Sequence, residues 1–165
     1  MDRRVRISAL LVAIAAIAVD QATKWWAFTA LRRMGGHLAL PGPVDLTFNV
    51  NESNAFGLTP VVGDATRWLL MSANLLVAAV LLYVILAKEV RPLTRFGLAL
   101  IMAGGVGNAL DRLLIGAVVD FIDASKIGFV WIFNVADATV DAGIGLLLVS
   151  ILLSGRQTTA QAPPA

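Results

Sequence analysis

The sequence contains no cysteine, which excludes disulfides, zinc-thiolate and iron-sulfur sites, and any thiol nucleophile. It has a single histidine, His37, so a His-rich metal centre and a zinc protease built on His-Glu-x-x-His are excluded as well. Charge is sparse, with 13 Lys and Arg against 11 Asp and Glu. The basic residues gather at the ends of apolar runs and form no stripe or basic-aromatic surface, so nucleic acid is not an expected partner. What fills the chain instead is apolar: 58% hydrophobic residues and a mean hydropathy of +0.81 lie far above the norm for a soluble globular protein. One integral membrane domain, residues 1–165, is expected.

Four spans can be drawn. Ile7 to Val19 alone is short, and Ala16-Ile17-Ala18 would suit a signal-peptide cleavage site. The apolar character resumes beyond Asp20 and Lys24 with Trp25, Trp26, Ala27 and Phe28, so the first span is read as about 6–28. The second, 68–87, is 20 residues without a charge. A basic turn around Pro92 leads into the third, about 96–114, and the fourth is about 134–153. Residues 155–165 read as a disordered tail. In the 31–67 loop, Val44, Leu46, Phe48 and Val50 alternate with Asp45, Thr47, Asn49 and Asn51, the period of a half-buried strand. The expected fold is therefore an all-α integral membrane protein, four transmembrane helices with a small periplasmic β element in the first outer loop.

Arg3, Arg4, Arg6, Lys88, Arg91 and Arg95, with Arg156, mark the cytoplasmic side by the positive-inside rule. Both termini are then cytoplasmic, and the 31–67 loop, Asp120 and Asp137 lie on the outer, periplasmic side. Lys24 and Arg112 sit at membrane depth or its edge.

The chemistry-bearing candidates are carboxylates held among apolar neighbours, where an ionised group is costly unless paired, solvated or functional. Asp120 in Val118-Val119-Asp120-Phe121 and Asp137 in Phe133-Asn134-Val135-Ala136-Asp137 bracket one short segment. Two carboxylates at close range share a proton, so one can act as general base toward water and the other as general acid toward a carbonyl oxygen. Asn134 and Asp137 share a helix face, so the Asn is a candidate for orienting a dyad carboxylate or a substrate amide. Asp20 and Lys24 have the spacing of a helical ion pair. Gly104, Gly105 and Gly107 suit close helix contact. Asn108 and Arg112 share a face, and Arg112 is free to snorkel or to pair with Asp111. Asp123 and His37 are expected at the surface. Asp141, deeper in the fourth span, needs a partner or a proton.

Taken in order, Asp20-Gln-Ala-Thr-Lys24, Asn51-Glu-Ser-Asn-Ala-Phe56, Gly104-Gly-Val-Gly-Asn108-Ala-Leu-Asp-Arg112, Val-Val-Asp120-Phe-Ile-Asp and Phe133-Asn134-Val-Ala-Asp137 resemble the bacterial lipoprotein signal peptidase family, signal peptidase II. The resemblance implies an intramembrane aspartic endopeptidase of the inner membrane. Such enzymes cut diacylglyceryl-modified prolipoproteins on the N-terminal side of the lipidated cysteine, with no cofactor and no metal. It implies that Asp120 and Asp137 are catalytic. Asp20, Lys24, Asn51, Gly104, Asn108, Arg112, Asn134 and Ala136 would be supporting or substrate-positioning residues, with membrane lipid as a further partner of a monomer. Where the family block reads Asn-x-Gly-Ala-Ala-Phe, this chain has Ser53 and Asn54, so Asn51 and Asn54 both stand as candidates for the substrate-facing role. Asp141 falls where the family pattern has an uncharged residue. Two other classes fit parts of the pattern. A small proton- or ion-coupled transporter would use Asp20, Asp120, Asp137 and Asp141 as relay sites, and an inactive prolipoprotein-binding scaffold would explain the altered Asn51 block.

Overall fold

A computed structural model of the chain describes residues 3–52 and 64–160, without the side chains of Asp64 and 155–160. Among the described residues four helices are long and apolar enough to cross a membrane. They are α1 (Arg3–Trp26), α2 (Asp64–Ala87), α3 (Pro92–Ile115) and α4 (Val135–Ala160). Pro92 opens α3, where its missing N–H is no loss, and Gly116 closes it in the left-handed conformation at φ 84. Two helical segments outrun their apolar cores. From α1 the chain continues through a π-helical turn, Ala27–Leu31, and a 3-10 turn, Arg32–Met34. The fourth helix runs through Ala160, into the stretch expected as a tail, because no proline interrupts it before Pro163. Residues 161–165 and the Ser53-Asn54 pair lie outside the described residues.

α3 is the central helix, packed against α1, α2 and α4. Lipid tails are as apolar as leucine, so contact between spans depends on close fit and polar bonds more than on hydrophobic drive. The glycines supply the fit. A Cβ on Gly104 would lie 2.4 Å from the Ala136 carbonyl oxygen and 2.5 Å from Val140 Cγ2, and one on Gly143 would lie 2.7 Å from the Gly97 carbonyl oxygen. The outward faces of the spans carry exposed Leu11, Ile14, Leu69, Leu76, Leu148 and Leu152, as a lipid-facing surface requires.

The helices alternate in direction. At one end Arg67, in the first turn of α2, donates Nε to the Arg112 carbonyl oxygen at 2.6 Å and Nη2 to that of Leu113 at 2.8 Å. A cation thus covers the open carbonyls that end α3. At the other end Thr94 Oγ1 meets Ser150 Oγ at 2.8 Å, and Arg91 bonds the Ser154 hydroxyl.

The β element is larger than the first loop alone. Strands β1 (His37–Leu38), β2 (Asp45–Asn51), β3 (Val118–Asp123) and β4 (Ile132–Phe133) form one antiparallel sheet in that order. Its second half comes from the segment between α3 and α4. Val119 and Phe121 of β3 pack on Ala27 and Leu31 of the π turn. β2 pairs with β3 through a bulge: Leu46 lies opposite Ile122 and Asn49 opposite Asp120. One inserted residue re-aims the strand, so that Asn49 and Asn51 turn to the Asp120 face.

The packing makes a direct prediction. Gly104→Ala should cost about 1–3 kcal/mol of stability through forced separation of α3 and α4. Gly145→Ala, with nothing within 4 Å of the added Cβ, should be neutral or slightly stabilising. Thermal unfolding of both variants in one detergent checks this, and equal shifts would show that the close approach is not a constraint.

Candidate active site

The site forms where the sheet end of the bundle brings together α1, the last turns of α3, β3 and the start of α4. Asn134 is its hub, fully buried immediately before α4. Its Oδ1 accepts the Asp137 N–H at 3.0 Å, and Asp137 Oδ2 accepts the Asn134 N–H at 3.3 Å. This is the reciprocal geometry of a capping box, with Asp in the position usually held by Glu or Gln. Asn134 Nδ2 then donates to Asp120 Oδ1 at 2.6 Å. One asparagine therefore holds both candidate carboxylates, 17 positions apart in the chain.

Each carboxylate has a further amide donor. Asn51 Nδ2 donates to Asp120 Oδ2 at 3.1 Å, and Asn108 Nδ2 donates to Asp137 Oδ1 at 2.8 Å. Asp120 is only 2% exposed. Burial pushes its carboxyl up to about 6, and the neighbouring Asp137 charge adds to the rise against the bonds from Asn51 and Asn134. Arg112 donates Nη1 to the Asn108 carbonyl oxygen at 3.3 Å, and the carboxylates of Asp120 and Asp137 act on its guanidinium.

Behind this layer lies a buried charge cluster. The Lys24 ammonium reaches Asp20 Oδ2 at 3.0 Å, Asp111 Oδ2 at 3.1 Å and Asn108 Oδ1 at 2.9 Å, one acceptor for each of its three protons. The expected Asp20 and Lys24 ion pair is present. The partner of Asp111 is Lys24 and not Arg112: adjacent helix residues point in different directions, so Asp111 turns to α1. The two carboxylates hold backbone as well as charge. Asp20 Oδ1 accepts the Ala136 N–H at 2.8 Å, and Asp111 Oδ2 accepts the Val119 N–H at 3.0 Å. Those are the residues immediately before Asp137 and Asp120. Gly107 lies against this cluster, where a Cβ would come within 2.5 Å of Asp20 Oδ2.

Sequence reasoning put Asp20, Lys24, Asn51, Gly104, Asn108, Arg112, Asn134 and Ala136 around the two aspartates, and all eight fall in or directly against this assembly. Asn54 lies outside the described residues. Two members were missed. Asp111 was obscured by its charged neighbour. Gln21, whose Nε2 bonds Asp20 Oδ2 at 3.1 Å and Asp111 Oδ1 at 3.0 Å, was signalled only as one more polar residue inside a span. Asp141 is exposed on α4 and outside the network. His37 is exposed, with Nδ1 3.0 Å from Thr47 Oγ1, which in turn donates to Asp123 at 2.9 Å. Asp123 is half-buried. Among the described residues no group of three or more His, Cys, Asp or Glu is arranged to hold a metal ion.

Comparison with known proteins gives a consistent result. A family model described as signal peptidase (SPase) II matches residues 12–153. The lipoprotein signal peptidase of Caulobacter vibrioides is 41% identical over 148 residues, covering 88% of this chain and 87% of the relative. That of Symbiobacterium thermophilum is 37% identical over 158 residues, covering 92% and 98%. Two solved structures, each described as a bacterial membrane enzyme, superpose with TM-scores of 0.76 and 0.75. The first is 24% identical, covering 96% of this chain and 93% of that one, and it speaks for the fold alone. The second is 26% identical, covering 88% and 92%.

The charge cluster can be tested without any substrate. Lys24→Met strands two buried carboxylates and should lower stability by about 3–5 kcal/mol. Unfolding in detergent would read this as a large drop in Tm, and a drop no larger than that of Arg33→Met, a change at an exposed cation, would refute the clamp.

Proposed function

Since the chain belongs to the signal peptidase II family, membrane-embedded hydrolases of the aspartic type, we propose that it removes signal peptides from diacylglyceryl-modified prolipoproteins. In this reading the bond on the N-terminal side of the lipidated cysteine is cut, with Asp120 and Asp137 as the catalytic pair. The observation that carries it is that one residue, Asn134, bonds both carboxylates, Asp120 through its side-chain Nδ2 and Asp137 through its backbone N–H. The site stands near the proposed outer, periplasmic face of the inner membrane. A substrate anchored by its acyl chains and its signal helix would reach it laterally from the bilayer.

The roles follow from the environments. Asp137, ionised, takes a proton from a water molecule as that water attacks the scissile carbonyl carbon. Its carboxylate is aimed by the Asn134 N–H and by Asn108. Asp120 carries the shared proton, because desolvation favours its neutral form. It donates a hydrogen bond to the carbonyl oxygen as negative charge develops there. Collapse of the tetrahedral intermediate breaks the C–N bond, and the proton gained by Asp137 passes to the leaving amine. Asn51 and Asn134 keep the Asp120 carboxyl oriented throughout. Asp20, Lys24, Asp111 and Gln21 are positioning residues, acting through the backbone on either side of the pair.

The transporter reading finds no support in this arrangement. Asp20 is committed to Lys24, and the exposed Asp141 stands apart, so the four aspartates form no continuous relay.

The decisive experiment is cleavage of a diacylglyceryl-modified prolipoprotein by the purified protein, beside an unlipidated control. Asp120→Asn and Asp137→Asn should each lower kcat by about a thousandfold or more, with Tm little changed. Full activity in either folded variant would refute the pair. Activity also requires Asp120 protonated, so kcat/KM should fall as pH rises through an apparent value at or above about 6. Covering lipid desolvates the site further and moves the limb upward. A rate that climbs through pH 6 and stays high into alkali would reverse the assignment of the proton.

A further inference from the structure

The four tryptophans of the chain are all exposed and all at the sheet end of the bundle. Trp25 and Trp26 end α1, Trp68 lies in the first turns of α2, and Trp131 lies three residues before Asn134 at the start of α4. Tryptophan collects at membrane-water boundaries, where its ring is buried in the acyl region and its N–H is wet. Three of the four therefore mark the level of one interface on the helices themselves. The fourth belongs to a loop. At the extended rise of a strand, three residues keep Trp131 within about 10 Å of the start of α4.

That loop, between β3 and β4, has the chemistry of a membrane insertion. Ile127, Phe129, Val130 and Trp131 are all exposed, and no charge occurs from Ile127 through Phe133. Phe129 packs edge-on against both Trp131, at 5.5 Å between ring centroids, and Phe133, at 5.7 Å. The tip is thus one preformed aromatic cluster. The first half of its backbone is provided for: Ile127 and Phe129 donate to the Ala124 carbonyl oxygen at 3.0 and 3.3 Å, and Gly128 donates to that of Ser125 at 3.0 Å. An N–H bonded within the loop can leave water without the cost of an open donor. The nearest cation, Lys126, is tied back to β2 by Asp45 Oδ1 at 2.6 Å and by the Leu40 carbonyl oxygen at 2.9 Å, away from the apolar tip.

We infer that the Ile127–Trp131 loop is an interfacial anchor that inserts into the acyl-headgroup boundary of the leaflet at the sheet end, with the bilayer itself as its occupant. An insertion of this kind reaches about 5–10 Å below the headgroups. The loop runs through Phe133 directly into Asn134, so its depth fixes the depth at which the hub of the site stands. The inference rests on the membrane-spanning fold and not on the roles given to Asp120 and Asp137.

The test uses the full chain in phosphatidylcholine vesicles, with Trp25→Phe, Trp26→Phe and Trp68→Phe leaving Trp131 as the sole indole. Lipid brominated near the headgroup end of its acyl chains should quench the emission more strongly than lipid brominated near the methyl end, and aqueous acrylamide should quench it weakly. Strong acrylamide quenching with none from either lipid overturns the anchor. A second measurement leaves every tryptophan in place. Because the chain has no cysteine of its own, Val130→Cys gives a single nitroxide attachment point. In vesicles without substrate the label should collide more with oxygen than with a water-soluble nickel chelate. The reverse order overturns the proposal, as does a label shielded only once a lipidated substrate is added, which would give the loop to the substrate. Neither measurement depends on cleavage, so a failure of the catalytic reading and a failure of the anchor are separable.

Discussion

The arrangement of the site depends on one buried cation. An ammonium inside a bundle of apolar helices is sustained only if each of its protons finds an acceptor and its charge is answered nearby. Lys24 satisfies this with Asp20, Asp111 and Asn108, three side chains from two different spans. Both carboxylates then hold backbone as well: Asp20 accepts the N–H of Ala136 on the oxygen that Lys24 leaves, and Asp111 accepts that of Val119 on the same oxygen that meets Lys24. The residue after each of those amides is one of the two candidate catalytic aspartates. A positive charge in α1 thus fixes, through two acids, the start of α4 and the middle of β3 against the same wall of α3.

Such a clamp works only if the backbones can approach closely, and the glycines of α3 allow this. With any side chain at Gly104 the first turn of α4 would be pushed off by its own carbonyl, and with one at Gly107 the Asp20 carboxylate would lose its place. Close approach and polar bonding reinforce each other. In a bilayer the alternative to an internal hydrogen bond is a bare polar group in hydrocarbon, which keeps the network closed. Gln21 fits the same logic, since its amide spans the two carboxylates that share Lys24 and moderates their mutual repulsion.

Much of this was legible in the chain. Apolar runs of membrane-spanning length gave four helices, alternation from Val44 to Val50 gave the principal strand, and the spacing of Asp20 and Lys24 gave an ion pair. The rest depended on long-range pairing, which leaves little local trace. Val118–Asp123 reads equally well as the frayed end of a span, and only its pairing with β2, some seventy positions earlier in the chain, makes it a strand. The bulge in β2 is likewise invisible in a regular alternation, although it decides which face Asn49 and Asn51 occupy. Asp111 was hidden by proximity: a neighbouring Arg112 invites pairing in the sequence, while the helix sends the two side chains toward different partners.

Asn134 carries two duties that are in tension, and the tension explains its chemistry. As the cap of α4 it needs a side-chain oxygen for the Asp137 N–H, a task that Asp, Ser or Thr would also perform. As the link between the two carboxylates it needs a donor at the same time, because Asp120 Oδ1 meets it as an acceptor. A carboxylate in this position would add a second negative charge beside that of Asp137, and a single hydroxyl lacks the reach to serve helix and strand together. Only a carboxamide presents an acceptor and a donor on one short planar group, and asparagine keeps that plane close enough to the backbone to cap. The length of the side chain and the pairing of its two ends thus bind the helix start to the proposed chemistry. Neither aspartate can move without disturbing the cap, and the cap cannot fray without releasing both.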